Sequence, residues 1–188
     1  MQHCFLMKTA LYCKHTLLTL YPIPYIRNEV KSMTQEEKSM QLCEKLLPLL
    51  KEGKEVEIHP SGTSMFPLIN PPSDSVVLRA IGDTPIKTGD ILLYQRESGL
   101  LVLHRLCRIK QDGYYFTGDN QTEVEGPLQA SQLLAIVTCI CRNGHTFRVT
   151  HPVYKICSRI WLFLRPVRPF ISRPLGMLWR RLRRSHGI

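Results

Sequence analysis

A mainly β, compact and mostly antiparallel domain is what this sequence predicts, and three observations predict it. Short apolar or β-branched runs recur between Val56 and Val149: Val76-Val77-Leu78, Ile91-Leu92-Leu93-Tyr94, Leu100–Leu103, Tyr114-Tyr115-Phe116 and Leu133–Ile140. Turn-forming clusters separate them, namely Asn70-Pro71-Pro72-Ser73, Gly89-Asp90, Glu97-Ser98-Gly99, Gln111-Asp112-Gly113 and Arg142-Asn143-Gly144. The runs follow one another at a spacing that suits strands joined by turns and not a βαβ fold.

A helix precedes the strands. Thr34 is placed to cap it, with Gln35-Glu36-Glu37 as an acidic first turn. Cys43, Leu46, Leu47 and Leu50 then fall on one face at helical spacing, and Gly53 ends the element. Pro48 is expected to kink this helix or end it early. After Pro152 the pattern turns helical again. Tyr154, Cys157, Trp161 and Leu164 share a face, with Lys155 and Arg159 off it. Pro166, Pro169 and Pro174 interrupt the run, and Leu175, Leu178 and Leu182 line a second face among Arg180, Arg181, Arg183 and Arg184. The chain thus divides into an extension (residues 1–32), an N-terminal helix (33–53), a β domain (54–150) and a basic amphipathic tail (151–188). The extension is either a poorly structured or mis-started segment, with Met33 the more conventional start, or a short membrane-proximal anchor.

The chain has 188 residues, enough for one domain of roughly 100–150 residues plus extensions. At 44% hydrophobic and 21% charged it is an ordinary globular composition, which excludes a polytopic membrane protein, a collagen and a disulfide mini-scaffold. No run of about 20 mostly apolar residues suggests a transmembrane helix. The seven cysteines are odd in number and lack paired CxxC spacing, so they read as reduced thiols. Cys139 and Cys141 would face one side of a strand as small packing residues.

The net charge of +10 is unevenly placed. Arg142 to Ile188 carries eleven Lys/Arg and no Asp or Glu, whereas residues 1–141 hold the other fourteen bases and all fifteen acids, a balance of −1. A nucleic-acid-binding domain more often spreads its basic face over the fold, so no nucleic acid is expected. A basic tail with apolar residues woven through it suits an anionic membrane surface, contacted peripherally through residues 152–184 on the cytoplasmic face. Packing of this segment on the core or on a partner chain is the rival.

The sharpest local feature is Ser61-Gly62-Thr63-Ser64-Met65-Phe66-Pro67. A serine after a flexible glycine and before Met and a nearby Pro suits a turn that presents its hydroxyl. A serine nucleophile needs a base, and the chain offers Gly89-Asp90-Ile91-Leu92-Leu93-Tyr94, Leu103-His104-Arg105-Leu106 and Thr117-Gly118-Asp119-Asn120.

At these residues the sequence resembles the superfamily of type I signal peptidases and LexA-like self-cleaving serine peptidases. The Ser-Met nucleophile box matches at Ser64 and Met65, and the strand opening with Gly-Asp matches at Gly89 and Asp90. The base box, a strand ending in Lys-Arg or His-Arg, matches at His104 and Arg105, and the Gly-Asp-Asn box at Gly118, Asp119 and Asn120. The boxes follow the family's order over roughly residues 56–140. The resemblance implies a LexA/signal-peptidase-like β domain flanked by an N-terminal helix and C-terminal amphipathic helices. It implies a serine endopeptidase that cleaves signal or leader peptides of precursor proteins in trans, without a cofactor or metal.

Most bacterial members use a lysine base. Histidine at 104 matches the type found in the endoplasmic reticulum and in archaea. An imidazole with an ordinary pKa near 6.5 is largely neutral at neutral pH and accepts a proton without heavy burial, whereas lysine must be desolvated. The resemblance makes Ser64, His104 and Asp119 the catalytic set, with Asp119 holding the second imidazole nitrogen. That type carries a further acid after the Gly-Asp-Asn box, for which Glu123 and Glu125 are the candidates. Ser61, Gly62, Thr63 and Met65 are the candidates for oxyanion and substrate contacts. His59, His145, His151, Arg105 and Asp90 read as loop, strand or turn residues.

Two alternatives remain open: a LexA-like self-cleaving regulator and a non-catalytic membrane-surface binding module. The first is disfavoured because only one clear helix precedes Ser64 and no Ala-Gly or Cys-Gly bond lies between Met1 and Ser64. The second is disfavoured because the catalytic set is intact.

Overall fold

The computed structural model describes residues 24–26, 33–71, 73–82 and 85–164. Two helices flank a sheet. Helix α1 spans Gln35–Lys51. The strands are β1 (Tyr25–Ile26), β2 (Val56–Ile58), β3 (Asp74–Ala80), β4 (Ile91–Gln95), β5 (Leu101–Lys110), β6 (Gly113–Thr117), β7 (Glu125–Leu128), β8 (Leu133–Arg142) and β9 (His145–Arg148). Helix α2 spans Pro152–Phe163. The described strands form one sheet in the order β1-β2-β3-β8-β4-β5-β6-β7, with β9 paired to β8. Every described pairing is antiparallel except the short β1–β2 contact. Within the extension 1–32, Tyr25–Ile26 is therefore a strand, and the remaining calls on that segment lie outside the described residues.

Local chemistry explains the elements. Thr34 and Glu37 form a reciprocal capping box at the start of α1. The helix runs through Pro48 instead of stopping there. Pro48 lies in the last turn, and its carbonyl still accepts from the Glu52 amide at 3.1 Å. Gly53, at φ +73°, then turns the chain, and the Lys54 amide returns to the Leu49 carbonyl at 3.0 Å. At the other end of the domain, Asn143 (φ 50°) and Gly144 (φ 75°) make the tight hairpin between β8 and β9.

Alternation along the strands produces two apolar clusters. One gathers Leu46, Val56, Met65, Ile69, Val76, Leu78, Ile91, Leu93, Leu103, Val137, Ile140 and Tyr154. The other gathers Leu92, Tyr94, Leu106, Phe116, Leu128 and Leu133. Val102 packs against the second and Leu103 belongs to the first, so neighbouring residues of β5 face different clusters. That alternation decides what His104 and Arg105 can touch.

Helix α2 packs one face inward. Tyr154 and Ser158 are buried, while Ile156, Ile160 and Phe163 are exposed. The tail's expected apolar face, with Tyr154 and Trp161, is therefore turned toward the domain, and a different apolar stripe faces out. The faces expected over residues 165–184 lie outside the described residues. No described helix is long and apolar enough to cross a membrane.

Candidate active site

Ser64 sits in the loop between β2 and β3. Beneath it, Met65 and Ile69 are core residues, and the Ile69 amide bonds the Met65 carbonyl at 2.9 Å. Met65 therefore anchors the loop from below. Ser61, Gly62 and Thr63 are exposed above it, with Gly62 at φ +82°. The far end of the loop is clamped by Arg142, which pairs with buried Asp74 at 2.6 Å and donates to the Leu68 carbonyl at 2.9 Å. Asp74 in turn accepts from the Asn70 amide at 2.8 Å.

A second clamp joins the serine to the Gly-Asp-Asn segment. The Asn120 amide donates to the Ser64 carbonyl at 2.7 Å. The approach is close enough that a Cβ on Gly118 would lie 2.7 Å from the Ser64 carbonyl oxygen. Glycine at 118 is thus a packing requirement. Thr117, immediately before it, pairs with Arg105 across β6 and β5. The loop of Ser64 and the strand that carries His104 are linked through this segment.

Among the described residues no hydrogen bond joins Asp119 to His104. Its two carboxylate oxygens accept from Arg105 Nε at 2.8 Å and Nη2 at 2.7 Å, and both side chains are fully buried. Arg105 also donates to the Gly89 carbonyl at 2.8 Å and to the Tyr154 hydroxyl at 3.1 Å. The physical reason is strand alternation: Arg105 faces the opposite side from His104. Burial opposes the Arg105 charge, but Asp119 outweighs it and holds the guanidinium more firmly protonated than usual. Helix α2 closes the arrangement, since Trp161 Nε1 donates to the Asp119 carbonyl at 2.6 Å. Asp90 terminates the neighbouring turn, its carboxylate accepting from the Lys87 amide at 2.8 Å.

The group that meets His104 is Tyr94. His104 lies in the middle of β5, opposite Leu92 of β4, and is 5% exposed. Its Nδ1 is 3.2 Å from the Tyr94 hydroxyl. Tyr94 donates its one proton to Glu125 Oε2 at 2.7 Å. Glu125 is gripped by Arg96 through Nε–Oε1 and Nη2–Oε2 contacts of 2.6 Å each. Glu123, the other candidate acid, is exposed, and its carbonyl accepts from Thr117.

Proton counting now fixes the imidazole tautomer. A phenol that has given its only hydrogen to a carboxylate can offer its other neighbour nothing but a lone pair. His104 Nδ1 must therefore be the protonated nitrogen, which leaves the lone pair on Nε2. Among the described residues the one fully buried side-chain nitrogen or oxygen without a partner is His59 Nδ1. His104 Nε2 makes no hydrogen bond among the described residues.

The electrostatics agree. Burial is the main cause that pulls the His104 pKa down from 6.5 to about 4; Arg96 adds to the shift, and the charges of Glu125 and Asp119 oppose it. The ring is neutral throughout the physiological range. Burial first, then the bond to Glu125, pushes the Tyr94 phenol up, so it remains a donor. Burial alone would raise Glu125, but the bonds from Arg96 and Tyr94 outweigh it and keep it ionised.

The described residues contain no cluster of three or more His, Cys, Asp or Glu suited to a metal. Ser64 Oγ makes no hydrogen bond among them. Protein-family models give no match to this chain, and a search of curated proteins finds no significant relative.

Proposed function

We propose that this protein is a serine endopeptidase of the signal-peptidase type, in which Ser64 is the nucleophile and His104 the general base. The fold proposal goes with it: the sheet flanked by two helices is a LexA/signal-peptidase-like domain. The observation that carries the proposal is the state of His104. It is a buried, neutral imidazole whose Nδ1 meets the Tyr94 hydroxyl, one strand away from the segment that bonds the Ser64 backbone.

The reaction is acyl transfer. Ser64 Oγ attacks a peptide carbonyl, and its proton passes to His104 Nε2. Backbone amides, that of Ser64 included, stabilise the oxyanion. Collapse breaks the C–N bond, and His104 returns the proton to the leaving amine. Water then hydrolyses the acyl-serine by the same proton route, releasing the new carboxylate and restoring Ser64. The substrate is an extended segment of a precursor with small side chains near the scissile bond, docked beside a strand edge.

The full-length protein and Ser64→Ala are to be co-expressed with signal- and leader-peptide reporters, and new N-termini read by mass spectrometry. New termini with the wild type alone support peptidase action in trans. Self-trimming alone favours the LexA-like regulator, and no cleavage of any substrate favours a binding module.

A membrane location is supported by a separate observation. Ile156, Ile160 and Phe163 recur at helical spacing on the outer face of α2 and are 57%, 54% and 83% exposed, beside exposed Lys155 and Arg159. An apolar stripe edged by cations fits the surface of an anionic bilayer.

A further inference from the structure

We infer that Glu125, acting through Tyr94, is the positioning acid that orients His104, in the role the resemblance assigns to Asp119. The inference rests on the peptidase proposal for its catalytic meaning, but its structural content is independent of it. Three links carry it. Glu125 Oε2 accepts from Tyr94 at 2.7 Å, Tyr94 Oη lies 3.2 Å from His104 Nδ1, and both Asp119 carboxylate oxygens accept from Arg105.

The contribution of each group follows from its chemistry. Tyr94 is fully buried and packs on Phe116 with ring centroids 4.7 Å apart, so its hydroxyl is held in place. Glu125 gives that hydroxyl a direction. With a carboxylate on one side, the phenol proton points to Glu125 and the lone pair to His104. Without it, the phenol is free to donate to Nδ1, which would put the imidazole proton on Nε2 and abolish the base. Arg96 keeps Glu125 in register by a two-point grip and offsets part of its charge. The charged groups acting on His104 are thus Glu125 and Asp119, which favour its protonation, and Arg96, which opposes it.

The arrangement resembles the working of a catalytic triad, in which a carboxylate fixes tautomer and ring orientation without itself taking a proton. Here the carboxylate works at one remove. When His104 accepts the serine proton, its Nδ1–H still donates to Tyr94, and Tyr94 still donates to Glu125. No further proton has to move.

The experiment uses the full chain labelled with ¹⁵N-histidine, in wild type, Tyr94→Phe, Glu125→Gln and Glu123→Gln. The ring nitrogen shifts of His104, assigned with His104→Gln, report the tautomer directly and do not depend on any substrate. We expect Nδ1–H in the wild type and in Glu123→Gln, and a shift toward Nε2–H in Tyr94→Phe. In Glu125→Gln the amide can present either end to Tyr94, and a mixture of tautomers is expected. Wild-type His104 in the Nε2–H form, or a tautomer unchanged by Tyr94→Phe, overturns the inference. If reporter cleavage is established, kcat falls on the order of 10²-fold in Tyr94→Phe with KM little changed. Loss of cleavage in Glu123→Gln equal to that in Glu125→Gln also overturns it. Failure of the wild type to cleave anything counts against the peptidase proposal alone, because the tautomer is read without turnover.

Discussion

Arg105 and Asp119 form an ion pair of two hydrogen bonds, 2.8 and 2.7 Å, with both side chains wholly removed from solvent. A charge in that position is tolerable only while its partner is present. Asp119→Ala leaves the Arg105 guanidinium buried with only the Gly89 carbonyl and the Tyr154 hydroxyl to face it. We expect a loss of about 3–5 kcal/mol in denaturant unfolding. The magnitude discriminates between roles. An acid that only oriented His104 would cost activity and leave stability nearly intact. Asp119→Ala should instead lose activity in step with the folded fraction.

The depressed pKa of His104 has a consequence for stability. The unfolded chain protonates this histidine near 6.5, whereas the folded chain holds it neutral down to about 4. Between those values the unfolded state binds more protons, so stability rises with pH. Folding stability should therefore fall as pH drops from 6.5 toward 4, by up to roughly 3 kcal/mol from this residue. Chemical denaturation at several pH values checks the slope, and His104→Gln should flatten it. The same group sets the acid limb of any peptidase activity: kcat/KM should hold steady well below pH 6 and fall near pH 4.

How far these features were legible in the sequence depended on the range of the interaction. Thr34 with Glu37, and Asn143 with Gly144, are local devices whose partners lie within three residues, and both could be read directly. The strands with apolar runs were equally plain. Strand β7 was not, because Glu125-Gly126-Pro127-Leu128 has the composition of a turn; it is a strand through its pairing with β6. The segment of the motif around Asp119 lies against Ser64, but the side chain its carboxylate bonds is Arg105, not His104. Adjacent residues of β5 face opposite sides, and sequence order does not say which side a loop acid reaches. The Tyr94–Glu125 bond spans 31 positions and has no local signature. Its advance sign was the resemblance, which made Glu125 one of two candidates for a further acid; that Tyr94 stands between it and His104 follows only from the pairing of β4 with β5, which puts Tyr94 two positions beyond Leu92, the residue opposite His104.

Gly118 offers a test of the link between Ser64 and the strand. A methyl group added there would meet the Ser64 carbonyl and the Gln121 side chain, each at 2.7 Å. The Ser64 backbone is itself bonded to Asn120 and cannot yield without moving Ser64. Gly118→Ala should cost about 1–3 kcal/mol by overpacking. It should also lower kcat more than that loss of folded protein explains. Unfolding curves measured beside single-turnover kinetics separate the two effects.

The outer face of α2 gives the last prediction, and its inner face dictates how the test is built. Tyr154 and Trp161 tie the helix to Arg105 and Asp119, so deleting the segment from residue 152 would damage the site along with any membrane contact. Substitutions confined to the exposed stripe avoid this. Ile156→Ser, Ile160→Ser and Phe163→Ser together should leave the Arg105 environment and the unfolding midpoint nearly unchanged, since all three side chains are exposed. Binding of the full-length triple variant to vesicles containing anionic lipid should fall at least tenfold, because burial of each large apolar side chain is worth about 1.5–3 kcal/mol when complete. Lys155 and Arg159 add about 1 kcal/mol each near an anionic surface. Wild-type binding should accordingly weaken as salt rises from 0.1 to 1 M and the screening length shrinks from about 10 to 3 Å. Equal binding by the wild type and the triple variant would remove this face of α2 from the membrane contact.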